Sequence, residues 1–298
     1  MSNSGKLKEI LEEKSILKIG GAYDALSAKL VEVTGYDAIW AGSFAISATH
    51  ALPDASILTM TDFLKSAENM VDACSIPVIA DCDTGFGGPA NVSHAVKKYE
   101  KAGIAGISIE DKTFPKQNSL LENSKQELLP EKDFVAKIIA AKEAKIDQDF
   151  MIIARTEALI AEKGMDEAIR RSNAYENAGA NAILIHSKKN SPEEIFEFSN
   201  KWKGKIPLVV VPTSYPSVKL NELISHKIKM VIYANQSLRA AHNIILKVLK
   251  ETLERESLDK IDTKLSSMED IFKLQEMYKI NDQEKRIEKN LEKMGYMN

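Results

Sequence analysis

Three carboxylates that end short apolar runs are the residues best suited to chemistry in this sequence. Asp81 and Asp83 end the run PVIADCD, and Glu110 precedes the end of the run GISIED. Because Asp81 and Asp83 are two residues apart, they would lie on one face of a strand. Neighbouring carboxylates repel unless a proton or a cation lies between them, and oxygen ligands favour Mg²⁺ or Mn²⁺ over Zn²⁺. The spacing therefore predicts a divalent metal site, with capping of nearby helices as the alternative.

An arginine and a histidine at the ends of two later apolar runs are candidates for binding an anion. Arg155 lies in FMIIART and His186 in AILIHS. The guanidinium group suits bidentate contacts with phosphate. The alternatives are an ion pair of Arg155 with Glu157 or Glu110, and a histidine whose hydrogen bonds are satisfied in the core. Asp54, in ALPDAS, is either a further carboxylate near the metal or a helix N-cap.

Eight short apolar runs supply the strands that must position these groups. The runs are nearly continuously apolar, as expected for strands covered on both faces, and helical patterns separate them. Eight such units within about 250 residues predict a (β/α)8 barrel of the TIM type, which would bring the polar strand ends to one rim. A doubly wound open sheet is the alternative, although no G-x-G-x-x-G motif follows the first strand. The predicted strands are 16–21, 38–42, 77–83, 106–111, 150–156, 182–187, 207–213 and 230–235.

Between the predicted strands, apolar residues recur at helical spacing, which predicts helices there. Pro89 suits the first turn of one such helix. Beyond residue 250 the chain is highly charged but keeps some helical spacing, which on its own favours a solvated helix. The apolar residues at helical spacing in the first two segments are Leu26, Leu30 and Val33, then Val92, Val96 and Tyr99.

Composition and charge exclude several function classes. The chain has 298 residues, 44% hydrophobic content and a net charge of −3. This charge does not favour a nucleic-acid-binding surface, and no apolar run approaches the roughly 20 residues that span a bilayer. We therefore expect neither a nucleic acid nor a membrane as partner. Cys74 and Cys82 lack CxxC spacing, so we expect a reduced, cytoplasmic setting.

Seven stretches of the chain carry a resemblance to a known family. They are AYDALSAKLVE, IWAGSFAISA, DCDTGFG, EDKTFPKQNSL, IIARTEALIA, AGANAILIHSKK and VVVPTSYP, in this order over roughly residues 20–240. They resemble the phosphoenolpyruvate mutases of the isocitrate lyase/phosphoenolpyruvate mutase superfamily. The resemblance implies one (β/α)8 barrel domain over residues 1–298 whose last helix swaps between paired subunits, usually in a dimer of dimers. The region from about 240 to 298 would then pack on a partner subunit.

The same resemblance implies roles for individual residues. Asp81 would hold Mg²⁺ directly, and Asp54, Asp83 and Glu110 would act largely through water. A loop over residues 112–125, carrying Lys116, would close as a gate. The residues implied in substrate binding are Trp40, Gly42, Ser43 and Phe44 around the carboxylate, and Asn118, Ser119, Arg155 and His186 around the phosphoryl group.

The implied reaction interconverts phosphoenolpyruvate and phosphonopyruvate through a Mg²⁺-stabilised pyruvate enolate and a loose phosphoryl transfer. Because the equilibrium favours phosphoenolpyruvate, a further enzyme would have to consume phosphonopyruvate for net phosphonate synthesis. Phosphonopyruvate hydrolase is the first alternative; it typically has threonine at the position of Asn118, so this asparagine favours the mutase. The C–C lyases of the superfamily have a K-x-C-G-H loop, whereas residues 116–119 contain no cysteine. A catalytically inactive binding barrel would not need this set of residues.

Overall fold

A closed barrel of eight parallel strands forms the centre of the protein. The computed structural model describes residues 1–255, 257, 261 and 265–296. The chain divides into two compact units, residues 1–239 and 240–298. In the first unit the strands follow one another around the barrel in chain order, and the first pairs with the eighth. The predicted (β/α)8 barrel is therefore confirmed, and the open sheet is wrong.

All eight predicted strands are present, with ends that differ from the prediction by a few residues. The strands are Leu17–Ala22 (β1), Ala38–Ala41 (β2), Val78–Asp81 (β3), Gly106–Glu110 (β4), Met151–Thr156 (β5), Ala182–Ile185 (β6), Leu208–Val210 (β7) and Ile228–Tyr233 (β8). The helices of the first unit are Asn3–Glu13 (α1), Ala25–Val33 (α2), Ser43–Thr49 (α3), Met60–Ala73 (α4), Pro89–Lys101 (α5), Glu131–Ala144 (α6), Met165–Ala178 (α7), Glu193–Lys201 (α8) and Leu220–Ser225 (α9). The later described residues form the helices Gln236–Glu254 (α10), Met268–Leu274 (α11) and Met277–Lys293 (α12).

Alternation of side chains along the strands divides the barrel core into two layers. In β5, Ile152 and Ala154 pack with the surrounding helices, whereas Ile153 belongs to the cluster inside the barrel. The same alternation along the neighbouring strands turns a set of polar and aromatic side chains inward at the carboxyl ends. This set consists of Trp40, Asp81, Glu110, Arg155 and, just after β6, His186.

Helix α2 does not bury the apolar stripe that its sequence shows. Leu26, Leu30 and Val33 are 55%, 48% and 60% exposed, while the buried positions are Ser27, Ala28 and Val31. The small side chains of the buried face let the helix pack closely on the barrel. In α5, by contrast, the predicted apolar face of Val92, Val96 and Tyr99 is buried. The stripe on α2 is thus an exposed apolar surface of the first unit.

The helices of the second unit are amphipathic. Ile245, Leu249 and Leu253 recur along one side of α10 and are exposed. The helical spacing beyond residue 270 is interrupted, because α11 ends at Leu274 and Glu276 has a φ of 56° before α12 begins. Packing of this unit on a partner subunit stays a prediction. Within the described ranges, no helix combines the length and the apolarity that crossing a membrane requires.

Candidate active site

Four carboxylates surround one lysine at the carboxyl end of the barrel. Asp81 and Glu110 end β3 and β4, while Asp54, Asp83 and Lys116 come from loops at the same end. Lys116 Nζ lies 2.6 Å from Asp83 Oδ1 and 3.0 Å from Asp54 Oδ1, and all five side chains are buried. Burial alone would lower the pKa of Lys116, but the carboxylates, Asp83 foremost, raise it well above its ordinary value. The ammonium group therefore stays charged and offsets part of the negative charge.

Asp81 and Asp83 converge, but the strand-alternation argument that predicted it is wrong. Strand β3 ends at Asp81, and Asp83 lies in the following turn with a φ of 50°. The turn is closed in part by the Asp83 backbone N–H, which donates to Asp81 Oδ1 at 3.2 Å. Burial raises the pKa of Asp83 to about 7, with Asp81 among the carboxylates that add to the effect and Lys116 opposing it. The cluster thus carries excess negative charge that a cation would offset.

The carboxylate oxygens of this cluster are chemically suited to coordinate a small divalent cation. Asp54 Oδ1, Asp83 Oδ1 and Glu110 Oε1 are buried and accept no hydrogen bond from the described part of the chain. The two aspartate atoms lie at ion-pair distance from Lys116 without hydrogen-bond geometry, so the lysine and a metal ion would compete for them. Among the described residues, no group of three His, Cys, Asp or Glu side chains is already arranged to coordinate a metal. Carboxylate oxygens are ligands suited to Mg²⁺ or Mn²⁺.

The segment after β2 brings an aromatic ring and a helix start to the cluster. Gly42 precedes α3, whose first residues are Ser43 and Phe44, and the first N–H groups of a helix have no partner within it. A Cβ atom on Gly42 would lie 3.1 Å from the Trp40 ring, so glycine allows the chain to pass close to this ring. Ser43 Oγ donates to Asp81 Oδ2 at 2.9 Å. The residues predicted to bind a substrate carboxylate therefore adjoin the carboxylate cluster.

A buried glutamate that was not among the predicted site residues links the predicted phosphoryl-binding groups. Glu157 Oε1 lies 2.5 Å from Arg155 Nε and 3.0 Å from His186 Nδ1. Its Oε2 accepts from Ser119 Oγ at 2.5 Å and lies 3.4 Å from Lys112 Nζ. Arg155 also pairs with Glu110, at 3.2 Å, so both ion pairs considered from the sequence are present. Its position was the available signal, because Glu157 directly follows β5, which ends at Thr156.

Burial and the charges of this second cluster favour a neutral histidine. Burial raises the pKa of Glu157, but Arg155, His186 and Lys112 lower it well below its ordinary value. Burial lowers the pKa of His186, against the opposing effect of Glu157. His186 Nδ1 lies 2.9 Å from Arg155 Nη2, which can only donate, and 3.0 Å from Glu157 Oε1, which can only accept, so the tautomer of the ring decides which of the two contacts is a hydrogen bond.

The loop that follows β4 is folded over both clusters and fastened at several points. Lys112 Nζ donates to Gln117 O at 2.8 Å and to Ser119 Oγ at 2.6 Å. Asn118 Nδ2 donates to Asp54 Oδ2 at 2.7 Å, and the Lys116 backbone N–H donates to Ser56 Oγ. The loop therefore covers the carboxyl end of the barrel. That it opens and closes as a gate stays a prediction.

A cavity of about 180 Å³ lies between the two clusters. It is smaller than the roughly 300–1,000 Å³ of typical pockets for drug-sized ligands, so it suits a small molecule. A larger open groove of about 830 Å³, between Trp202 and Lys229, contains none of the predicted site residues. The lining of the smaller cavity includes Trp40, Gly42, Ser43, Phe44, Asp54, Asp81, Lys116, Asn118, Ser119, Arg155 and His186. Because enzymes with this fold have their active sites at this end of the barrel, the cavity is the candidate active site of a (β/α)8-barrel protein.

Comparison with known proteins identifies the family within this class. A family model described as phosphoenolpyruvate phosphomutase matches residues 7–253, and the chain belongs to this family, as its motifs predicted. The phosphonopyruvate hydrolase of Variovorax sp. (strain Pal2) is 43% identical over 276 residues, covering 92% of this chain and 95% of that protein. The crystal structure of the phosphoenolpyruvate phosphomutase from Streptomyces platensis subsp. rosaceus has a TM-score of 0.93 at 43% identity, covering 95% of this chain and 98% of that one.

A second similar structure was determined with a bound metal ion. A crystal structure of phosphonopyruvate hydrolase in complex with oxalate and Mg²⁺ has a TM-score of 0.90 at 41% identity, covering 96% of this chain and 99% of that one. The family is metal-dependent, and its superfamily consists of enzymes. Mutase and hydrolase are equally similar to this chain, so the comparisons leave its particular activity open.

Proposed function

We propose that this protein is a phosphoenolpyruvate mutase, an isomerase that interconverts phosphoenolpyruvate and phosphonopyruvate. The observation that carries the proposal is the two-sided cavity, with the carboxylate cluster on one side and Arg155, His186 and Ser119 on the other. Phosphonopyruvate has two matching parts. Its carboxylate and carbonyl oxygens can chelate a divalent cation, and its phosphonate oxygens can accept from a guanidinium and an imidazole group.

The two clusters have different roles in this reaction. Asp81, with Asp54, Asp83 and Glu110 around it, would hold a Mg²⁺ ion, which would supply the Lewis acidity that stabilises an enolate. Backbone N–H groups of Ser43 and Phe44 bind the substrate carboxylate beside the Trp40 ring. Arg155 and His186 hold the phosphoryl oxygens while the C–P bond breaks and the enolate oxygen captures phosphorus. Such a loose transfer needs positioned donors more than a covalent nucleophile.

Exclusion of water decides between mutase and hydrolase. Water that reached the phosphoryl group would give pyruvate and phosphate instead of phosphoenolpyruvate. Asn118 supports the mutase, because its Nδ2 donates to Asp54 Oδ2 at 2.7 Å and fastens the loop over the cavity. A threonine there, as the resemblance gives for the hydrolase, has a shorter side chain and would lose this hydrogen bond. Because the Variovorax relative is a phosphonopyruvate hydrolase, hydrolysis of phosphonopyruvate is the second candidate function.

Phosphorus NMR of the purified protein with phosphonopyruvate and Mg²⁺ tests the proposal. We expect the phosphonate signal to be replaced by that of phosphoenolpyruvate, with no conversion after treatment with a chelator. A signal of inorganic phosphate would instead identify the hydrolase. An unchanged spectrum would contradict both candidates and favour a lyase or an inactive barrel.

We further propose that the chain forms a homo-oligomer in which residues 240–298 pack on a partner subunit. Two exposed apolar stripes support this, one on α2 around Leu30 and one on α10 around Leu249, because contiguous exposed apolar surface commonly marks an interface. Light scattering should give a mass that is a multiple of the 33.0 kDa chain. Leu30→Glu should lower this mass, and Ile146→Glu, at an exposed position that belongs to neither α2 nor α10, should not. A monomeric wild-type protein would contradict the proposal.

A further inference from the structure

The carboxylate of Glu157 contacts three proposed phosphoryl-binding side chains without reaching the cavity itself. Glu157 is fully buried and is not among the residues that line the cavity. Its two oxygens contact Arg155 and His186 on one side and Ser119 on the other. A residue in this place cannot touch the substrate. It acts through the groups that do.

We propose that Glu157 is the positioning residue of the phosphoryl-binding half of the site, an inference that rests on the proposed function. By accepting from Arg155 Nε, it directs the guanidinium so that Nη2 contacts Ser119 Oγ at 3.0 Å and His186 Nδ1 at 2.9 Å. By accepting from Ser119 Oγ, it joins the covering loop to the barrel. One buried anion thus sets the mutual arrangement of the three donors.

The barrel, and not the loop, holds Glu157 in place. Its backbone N–H donates to Asp111 Oδ1 at 2.8 Å. Asp111 is fully buried, and its other oxygen accepts from Tyr175 Oη at 2.6 Å and from Arg171 Nη1 at 3.2 Å, both on α7. Groups supported in this way by packed elements keep their geometry better than groups on loops. The position of Glu157 is therefore fixed by the barrel and α7 independently of the loop that covers the site.

The chemistry of its neighbours explains why a carboxylate is needed here. Arg155 and Lys112 offer only donors, and an ionised carboxylate offers only acceptors. An amide of the same shape would have to turn its NH2 group toward Ser119 and Lys112 in order to keep its oxygen on Arg155. The Glu157→Gln substitution therefore loses the link to the loop and the charge that balances two buried cations.

The test compares two ligands that can both offer a pair of adjacent chelating oxygens to a divalent cation, but only one of which carries a tetrahedral anionic group. Oxalate has carboxylates only, and sulfopyruvate has a sulfonate in place of the phosphonate. In calorimetry with Mg²⁺, we expect Glu157→Gln to weaken sulfopyruvate binding at least about 10-fold, since a charge-assisted hydrogen bond is lost. Oxalate binding should change less than about 3-fold, because its contacts lie in the carboxylate cluster. Glu162→Gln, an exposed glutamate paired only at the surface with Lys188, is the matched control and should change neither affinity.

Each possible result of this experiment either supports or contradicts the proposed role of Glu157. Equal weakening of both ligands, together with a lower thermal midpoint, would show that Glu157 is only structural, and unchanged sulfopyruvate affinity would also overturn the inference. If Glu157→Gln does not fold, Glu157→Asp serves the same test, because it keeps the charge but withdraws the carboxylate by one methylene. A wild-type protein that binds oxalate yet neither binds sulfopyruvate nor converts phosphonopyruvate would overturn the proposed function and, with it, this inference. That failure is distinguishable because it appears in the unaltered protein.

Discussion

Replacing Asp81 by alanine is expected to reduce conversion of phosphonopyruvate at least about 1,000-fold, because metal coordination supplies several kcal/mol of transition-state stabilisation. The carboxylate ends β3, where it accepts from Ser43 Oγ and from the backbone N–H of Asp83. The fold should remain intact, since removing one of four crowded carboxylates relieves repulsion. Steady-state kinetics, Mg²⁺ calorimetry and thermal unfolding followed by circular dichroism measure the three effects.

The Asp81 experiment needs a control that changes charge without touching the cluster. Asp72→Ala, at an exposed position on α4, removes the same charge and should leave turnover and Mg²⁺ affinity unchanged. Folded Asp81→Ala protein with near-normal turnover would show that the carboxylate cluster is not the metal site. Loss of turnover with unchanged Mg²⁺ affinity would assign Asp81 a role other than holding the ion.

Arg155→Lys is expected to lower kcat/KM about 100-fold or more, because lysine keeps the charge but loses the planar fork that binds two oxygens at once. The guanidinium contacts Glu110, Glu157 and His186 together, and one ammonium group cannot reproduce this set. Lysine is a sharper probe than alanine, which would leave two buried carboxylates without their partner at a cost of about 3–5 kcal/mol.

The Arg155 prediction is checked by kinetics with phosphonopyruvate and by the affinity for oxalate with Mg²⁺. The affinity should change little, since oxalate lacks the group that Arg155 is proposed to bind. Arg170→Lys is a matched control on α7, where an exposed arginine pairs with Glu167 and Glu131. If Arg155→Lys retained kcat/KM within a few-fold of wild type, the guanidinium would have no special part in phosphoryl binding.

The barrel was predictable because eight apolar runs keep the character of strands covered on both faces. This reasoning fails where apolar residues are not buried, and where buried residues do not belong to a strand. Leu26, Leu30 and Val33 have helical spacing, but spacing alone does not say whether a stripe faces the barrel or the outside, and here it is exposed. Likewise, the run through Asp83 continues beyond the last strand residue, Asp81, because a turn can begin inside a run of buried residues.

The candidate site was predictable where a polar residue ends a strand. Asp81, Glu110 and Arg155 all lie at such ends, and alternation turns them inward. Glu157 was considered only as an ion-pair partner of Arg155 and Lys112 was not among the predicted site residues, because charged residues are almost never fully buried unless they are paired. Their burial depends on partners from other elements, which a sequence does not reveal.

The order of the strands makes the two sides of the site differ in charge. Acidic side chains end β3 and β4, and basic or neutral donors end or follow β5 and β6, at neighbouring positions around the rim. Adjacent strands lie about 4.8 Å apart, so the sign of the charge changes over a distance comparable to the length of a three-carbon acid. We therefore expect a ligand with unlike ends to bind in one orientation, and a ligand with identical ends to match only one half of the rim.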